Sequence, residues 1–164
     1  KRDKMRKIIP IILFAIATMV SCSTLDCPLN NTVYTKYKLD GNVTQLTGSY
    51  MTISTNKQDG EDSILINKDE NVDSFMLPMS YTNAADTLYF EIQDVQERVF
   101  NDTLIVAKDN HPHFESIDCS PSYFHTITGV TTTHHLIDSV VINHKDVNFD
   151  ATKSHFLIYF GTRD

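Results

Sequence analysis

Seven histidines in 164 residues invite a search for metal or acid–base chemistry. His111 and His113 flank Pro112; on a strand they would share a face and offer two imidazoles to a zinc ion, with Glu115 or Asp118 adding a carboxylate. No third or fourth ligand stands at a recognised spacing, and Pro112 suggests a turn. Surface histidines are therefore the expectation, the adjacent pair His134 and His135 included, and no metal or other cofactor is assigned. Acidic residues cluster at Asp59, Glu61 and Asp62 and again at Asp69, Glu70 and Asp73. Carboxylates of this kind suit calcium, but the spacing is not that of an EF-hand loop, and Gly60 serves a turn equally well. No Gly-x-Ser-x-Gly elbow is present to expose a nucleophilic serine, and sequence alone does not place the two facing carboxylates of a glycosidase. No catalytic residue is assigned, and a non-enzymatic protein is expected.

Covalent modification has stronger pointers. Met19-Val20-Ser21-Cys22 resembles the bacterial lipobox, in which an apolar residue and small residues precede a cysteine. The thiol of Cys22 is a soft nucleophile that can accept a diacylglyceryl group as a thioether, after which a protease cuts in front of it. Upstream stand a basic head (Arg6, Lys7) and an apolar run over residues 8–17, the pattern of a secretory signal. That run is short of the roughly 20 apolar residues of a membrane span. Met5 is the expected initiator. The expected divisions are a removed signal segment, helical in its apolar part, at 1–21, a lipidated tether at 22–31, and one domain at 32–164. With Cys22 on lipid, Cys27 and Cys119 are left as an even pair in an oxidising compartment, either bonded to each other or as two buried thiols.

Four triplets read Asp, hydroxyl residue, apolar residue: Asp62-Ser63-Ile64, Asp86-Thr87-Leu88, Asp102-Thr103-Leu104 and Asp138-Ser139-Val140. They resemble the O-glycosylation acceptor pattern of Bacteroidetes envelope proteins, with Ser63, Thr87, Thr103 and Ser139 as acceptors. An Asp that ends a turn before a strand opened by Ser or Thr produces the same triplets, and that is the plainer expectation.

The whole chain carries 14 basic and 21 acidic residues, a net −7. The signal segment holds five of the basic residues (Lys1, Arg2, Lys4, Arg6, Lys7) and one acid (Asp3), so the mature chain has 9 basic and 20 acidic residues, a net −11. Such a surface repels phosphate backbones, which excludes nucleic acid as an expected partner. After the polar tether the sequence breaks into short alternating runs, beginning with Val33, Thr35, Tyr37 and Leu39 on one face. Others fall at 50–54, 63–67, 74–77, 87–93, 102–108, 113–117, 123–128, 136–144 and 155–160. The similar runs at 86–90 and 102–106 read as a hairpin with its loop near 96–101. No stretch of the mature chain carries a 3.6-residue apolar stripe with caps. The expected fold is all-β, an antiparallel β-sandwich of immunoglobulin-like type, with a small barrel as the alternative.

The order of these features resembles a family of small Bacteroidetes envelope lipoproteins whose domain has no known function. The resemblance rests on the lipobox Cys with a second Cys just after it, Met76-Leu77-Pro78-Met79, the two Asp-Thr-Leu strands, residues 113–119 ending in Cys119, Phe124-His125-Thr126-Ile127, and the strand Ile137-Asp138-Ser139-Val140. It implies that Cys27 pairs with Cys119, and it implies no activity. Ser23 after the lipid Cys favours the outer membrane. Surface-export signals resemble a run of acids just past that Cys, so the single acid in Ser23-Thr24-Leu25-Asp26 favours the periplasmic face. The expected protein is therefore an outer-membrane, lipid-anchored module facing the periplasm. Its expected partners are the membrane and another envelope protein, with a glycan as the alternative ligand.

Overall fold

Successive side chains on a strand point to opposite faces, so each apolar–polar alternation commits one face to an interior and the other to water. The computed structural model of the protein describes Cys27 and residues 31–56 and 62–161. In it the alternating runs become β1 (Tyr34–Asp40), β2 (Leu46–Asn56), β3 (Asp62–Val72), β4 (Ser74–Pro78), β5 (Ala85–Gln93), β6 (Val99–His113), β7 (Ser122–Thr132), β8 (Ile137–Ile142), β9 (Asp146–Val147) and β10 (Phe156–Phe160). β4-β1-β10-β8 form a four-stranded sheet and β3-β2-β5-β6-β7-β9 a six-stranded one. The fold is an all-β sandwich, as the alternation predicts; this strand order does not establish the immunoglobulin-like arrangement. Pairing is antiparallel except between β1 and β10, which run parallel with Tyr37 opposite Phe156. The expected signal helix, Cys22, most of the tether and the turn at 57–61 lie outside the described residues. No helix among the described residues is long and apolar enough to cross a membrane.

The core forms where the two inner faces meet. Tyr37 is stacked between Phe75 and Phe156, each ring centroid 4.9 Å away, because the ladders place those residues beside it on β4 and β10. Phe75 then meets Phe90 of the opposite sheet edge-on at 6.0 Å, a favourable geometry for aromatic quadrupoles. Met51, Ile53, Leu88, Leu104, Val106 and Ile127 complete the larger sheet's buried face.

Several strands run further than the apolar alternation marks. β6 continues through Lys108, Asn110 and Pro112 to His113, so the expected separate strand at 113–117 is instead the end of β6 and a loop. Pro112 sits in the ladder opposite Tyr123 rather than in a turn. It is tolerated because β5 pairs with β6 only as far as Ala107, leaving that side of β6 without a neighbouring strand to bond. The β5–β6 turn falls a few residues earlier than expected, at 94–98. There Asp94 Oδ1 accepts the amides of Gln96 and Arg98, and Arg98 returns a 2.7 Å ion pair to Asp94. β9, only two residues long, has no apolar alternation to announce it.

Candidate functional site

One end of the sandwich gathers the loops at 79–84, 114–121 and 148–155 together with the entering segment around Asn31. Cys27 is bonded to Cys119 in this cluster, with Cα atoms 5.5 Å apart and a sequence separation of 92. The bridge expected from the resemblance is thus formed, and it fastens the start of the domain to the β6–β7 loop. Asn31 adds a side-chain hydrogen bond to the Ser120 carbonyl at 3.3 Å. This end is the tether pole of the sandwich.

Behind the pole lies a buried polar cluster that follows from strand parity. On β6 the inward positions run Asp102, Leu104, Val106, Lys108, so the alternation that buries Leu104 also buries a lysine. Lys108 Nζ is fully enclosed and donates to the carbonyls of Ser80 (2.7 Å) and Asn83 (2.6 Å), to Ser80 Oγ (3.2 Å) and to Asn110 Oδ1 (3.3 Å). Asp86 stands 3.5 Å from it and accepts both the hydroxyl and the amide of Ser80. Burial draws the lysine's proton affinity down and the Asp86 carboxylate draws it back up. A buried ammonium is tolerable only when its charge and donors are matched in this way. The result is a staple: the 79–84 loop is closed over the cation by its own carbonyls.

His125, inward on β7, extends the cluster. Asn110 Nδ2 donates to the carbonyls of Tyr81 (3.2 Å) and Asn83 (3.0 Å), which fixes its Oδ1 toward Lys108 and toward His125 Nδ1 at 2.7 Å. His125 must therefore carry its proton on Nδ1 and keep a lone pair on Nε2. Burial and the nearby Lys108 cation push its pKa down to about 4, with Asp86 opposing and His111 adding to the fall. A second buried imidazole, His155, accepts the Lys36 amide through Nδ1 at 2.9 Å while its own amide donates to the Lys36 carbonyl at 2.8 Å. Burial and then His144 lower its pKa as well.

Both histidines make stability depend on pH. An unfolded histidine titrates near 6.5, so below that pH the unfolded chain takes up protons that folded His125 declines until about 4. Stability is full above pH 6.5 and drains as pH falls toward 4. Urea unfolding at pH 7 and pH 5 should differ by on the order of 2 kcal/mol, and His125→Gln should flatten part of the slope. A flat profile over this interval would sink the assignment of neutral, buried imidazoles.

Two pockets open at the pole. One, of about 350 Å³, is lined by Asn31, Val33, Met79, Tyr81, Tyr123 and His125. Tyr81 is 62% exposed and its ring stacks on Tyr123 at 5.2 Å, and Asn31 Oδ1 is buried without a hydrogen-bond partner. The other, of about 300 Å³, has Ser80, Asp86 and Thr87 in its wall. Tyr81 does not serve sheet packing, because it lies in the β4–β5 loop, outside any strand.

The residues singled out by sequence fall as follows. Cys22 lies outside the described residues. His111 and His113 do share the outer face of β6, but each is engaged elsewhere. His111 Nε2 meets the Thr126 hydroxyl at 3.3 Å; His113 Nε2 meets Glu115 at 3.3 Å, and its ring stacks on Phe124 at 4.2 Å. Among the described residues no group of three His, Cys, Asp or Glu side chains could hold a metal ion. Asp69 bonds the Glu70 amide and Asp73 the Ser74 hydroxyl, both on exposed backbone. Of the hydroxyl residues in the four triplets, Ser63, Thr87, Thr103 and Ser139 are all half-buried. In two triplets the acid has a structural role, since Asp86 faces Lys108 and Asp102 holds a loop at the far pole. The Asp102 carboxylate is met by the amides of Thr103, Thr133, Leu136 and Ile137 and by the hydroxyls of Thr132 and Thr133. The echo of Asp-Thr-Leu thus marks two antiparallel strands, each ending its inward row in a carboxylate, one at each pole.

Ser80, Tyr81, Asp86, Lys108, Asn110 and His125 do not stand out as a group in the sequence. The signal that could have found three of them is parity: Lys108 is two positions after Val106, Asp86 two before Leu88, and His125 two before Ile127.

A model described as a family of unknown function (DUF6452) matches residues 50–160, more than half of the chain. No curated protein matches, and no solved structure matches.

Proposed function

The chain belongs to the family of unknown function DUF6452, a description that assigns no activity, and from its own residues we propose a lipid-anchored envelope module that binds a partner without catalysis. The observation that carries this reading is the Cys27–Cys119 bridge. It stands five residues beyond the lipobox Cys22 and fastens the domain rigidly at the end where an anchor would pull. The polar groups best suited to chemistry support the non-catalytic half of the reading. Ser80, Asp86 and Lys108 spend their hydrogen bonds on one another and on loop carbonyls, so the lysine is a staple and not a base. The reading places the domain on the periplasmic face, because a single acid, Asp26, follows Cys22 before Cys27.

Cys22→Ser should move the protein from the detergent-extracted membrane fraction to the soluble periplasm, since acyl chains contribute about 0.8 kcal/mol per buried methylene and their loss removes the anchor. Unchanged membrane partition of the variant would overturn the anchor. Loss of signal on protease treatment of intact cells would place the domain on the outside instead.

A second reading has its own observation. The Tyr81–Tyr123 stack beside the unpartnered Asn31 Oδ1 offers an aromatic face and polar groups of the kind that hold a sugar ring. Specific binding on a glycan array that Tyr81→Ala abolishes would replace the protein-partner reading with this one.

A further inference from the structure

The β6–β7 loop exposes apolar side chains where loops normally present polar ones. Ser116 to Cys119 is a tight turn closed by the Cys119 amide on the Ser116 carbonyl at 3.2 Å, with Ile117 and Asp118 at its tip. Ile117 is 96% exposed and Phe114, three residues earlier, is 60% exposed. Phe149, on the loop after β9 at the same pole, is also exposed and packs edge-on against Phe124 at 5.2 Å. Nothing in the packing of the sandwich calls for an isoleucine at the tip of this turn.

The position of the turn is fixed by the disulfide. Ile117 is two residues from Cys119, Cys119 is bonded to Cys27, and Cys27 is five residues from Cys22. A fully extended five-residue tether spans at most about 18 Å, and a relaxed one less. We propose that the Phe114–Ile117 turn is a membrane-contact loop, with Ile117 and Phe114 seated among lipid headgroups and upper acyl chains of the leaflet that holds the anchor. This rests on the lipid at Cys22 proposed above, and it adds an orientation: the tether pole faces the bilayer and the far pole, with its Asp94–Arg98 turn, faces away.

Two apolar side chains bind a membrane weakly when free, but a short tether converts the contact into an intramolecular one at effective concentrations in the millimolar range. Asp118 shares the tip, Glu115 lies just before the turn and the mature chain is strongly acidic, so the surface favoured is zwitterionic lipid. The bilayer is preferred over a protein as occupant because the tether leaves no more than a short reach between this loop and the lipid.

The chain contains no Trp, so one introduced residue reports alone. Full-length lipidated Ile117→Trp is reconstituted in phosphatidylcholine–phosphatidylethanolamine vesicles with or without acyl-brominated lipid. Val95→Trp, at a 76% exposed position on the far pole, serves as the control. Both positions are open to solvent, so neither variant disturbs the core. The expected result is a blue-shifted emission for Ile117→Trp that brominated lipid quenches by about two-fold or more, with Val95→Trp unaffected. Vesicle flotation separates the two layers of the claim. Protein that does not float overturns the anchor and this inference together. Protein that floats with Ile117→Trp unquenched overturns the membrane contact alone, as does a blue shift that appears only when other envelope proteins are added.

Discussion

Replacing Asp102 by asparagine should destabilise the domain by about 3 kcal/mol, and by alanine rather more. The carboxylate is buried on the inward face of β6, and its two oxygens serve different groups of donors. Oδ1 takes the amides of Thr103 and Thr133 and the hydroxyls of Thr132 and Thr133; Oδ2 takes the amides of Leu136 (2.8 Å) and Ile137 (2.7 Å). Burial opposes ionisation, but these donors outweigh it and hold the carboxyl well below the usual carboxylate range. An asparagine turns one of the two acceptors into a donor, placed against N–H groups that it repels instead of satisfying. The β7–β8 connection, which must turn through His134 at φ 59°, then loses what fixes it. Urea titration of the variant reads the change directly, and a loss below about 1 kcal/mol would mean that water or local rearrangement replaces the carboxylate. The same carboxylate predicts the acid limit of the fold. Its contribution is complete above the unfolded value near 3.9 and is lost as pH falls below that, a window distinct from the one in which His125 acts.

Opening the Cys27–Cys119 bridge, by Cys119→Ser or by reductant, should cost about 4 to 5 kcal/mol. The bridged cysteines are separated by 92 positions in sequence, and the entropy removed from the unfolded chain grows with the logarithm of the loop length. Unfolding with and without reductant measures it. A difference under about 1 kcal/mol would mean that strain in the native loop cancels the constraint. A separate consequence is local: without the bridge, the entering segment keeps the 3.3 Å bond from Asn31 to Ser120 as its tie to the 114–121 loop. The pocket that Asn31 lines with Tyr81 and His125 should then lose definition before the sandwich itself unfolds.

How much of this was legible in the sequence depends on which residues carry the signal. Where apolar residues alternate, as in Leu88, Phe90 and Ile92 or Leu104 and Val106, strands and their inward faces could be read. Strand lengths could not, because β2, β3, β6 and β7 run on into polar residues held by ladder bonds that any side chain permits. β9 was invisible for the same reason. The parallel β1–β10 pair is a long-range choice that no local pattern encodes. The buried cluster was hidden by residue type: Lys108 and Asp102 read as surface charges, although their parity with Leu104 and Val106 places them inward. The disulfide came from the order of features, not from geometry. His111 and His113 did reach one face, but the strand carried them to Thr126 and Glu115 instead of to a common point.

The parallel neighbours β1 and β10 have a consequence in time. β1 lies between β4 and β10, so the smaller sheet is built from the first and last strands of the domain laid side by side. A chain emerging from its N-terminus can assemble β2, β3, β5, β6 and β7 through near-neighbour hairpins, but β8 has no ladder partner in its own sheet until residues 156–160 arrive. Until then only the β1–β4 pair, which carries Phe75 against Phe90, can cover the larger sheet, and the part that β10 and β8 overlie stays open. Completion of the smaller sheet therefore waits for residues 156–160, and contacts of such high sequence separation are expected to form slowly. Removal of residues 156–160 should leave β8 without its ladder and expose the edge of β1 beside Tyr37, an open strand edge prone to associate.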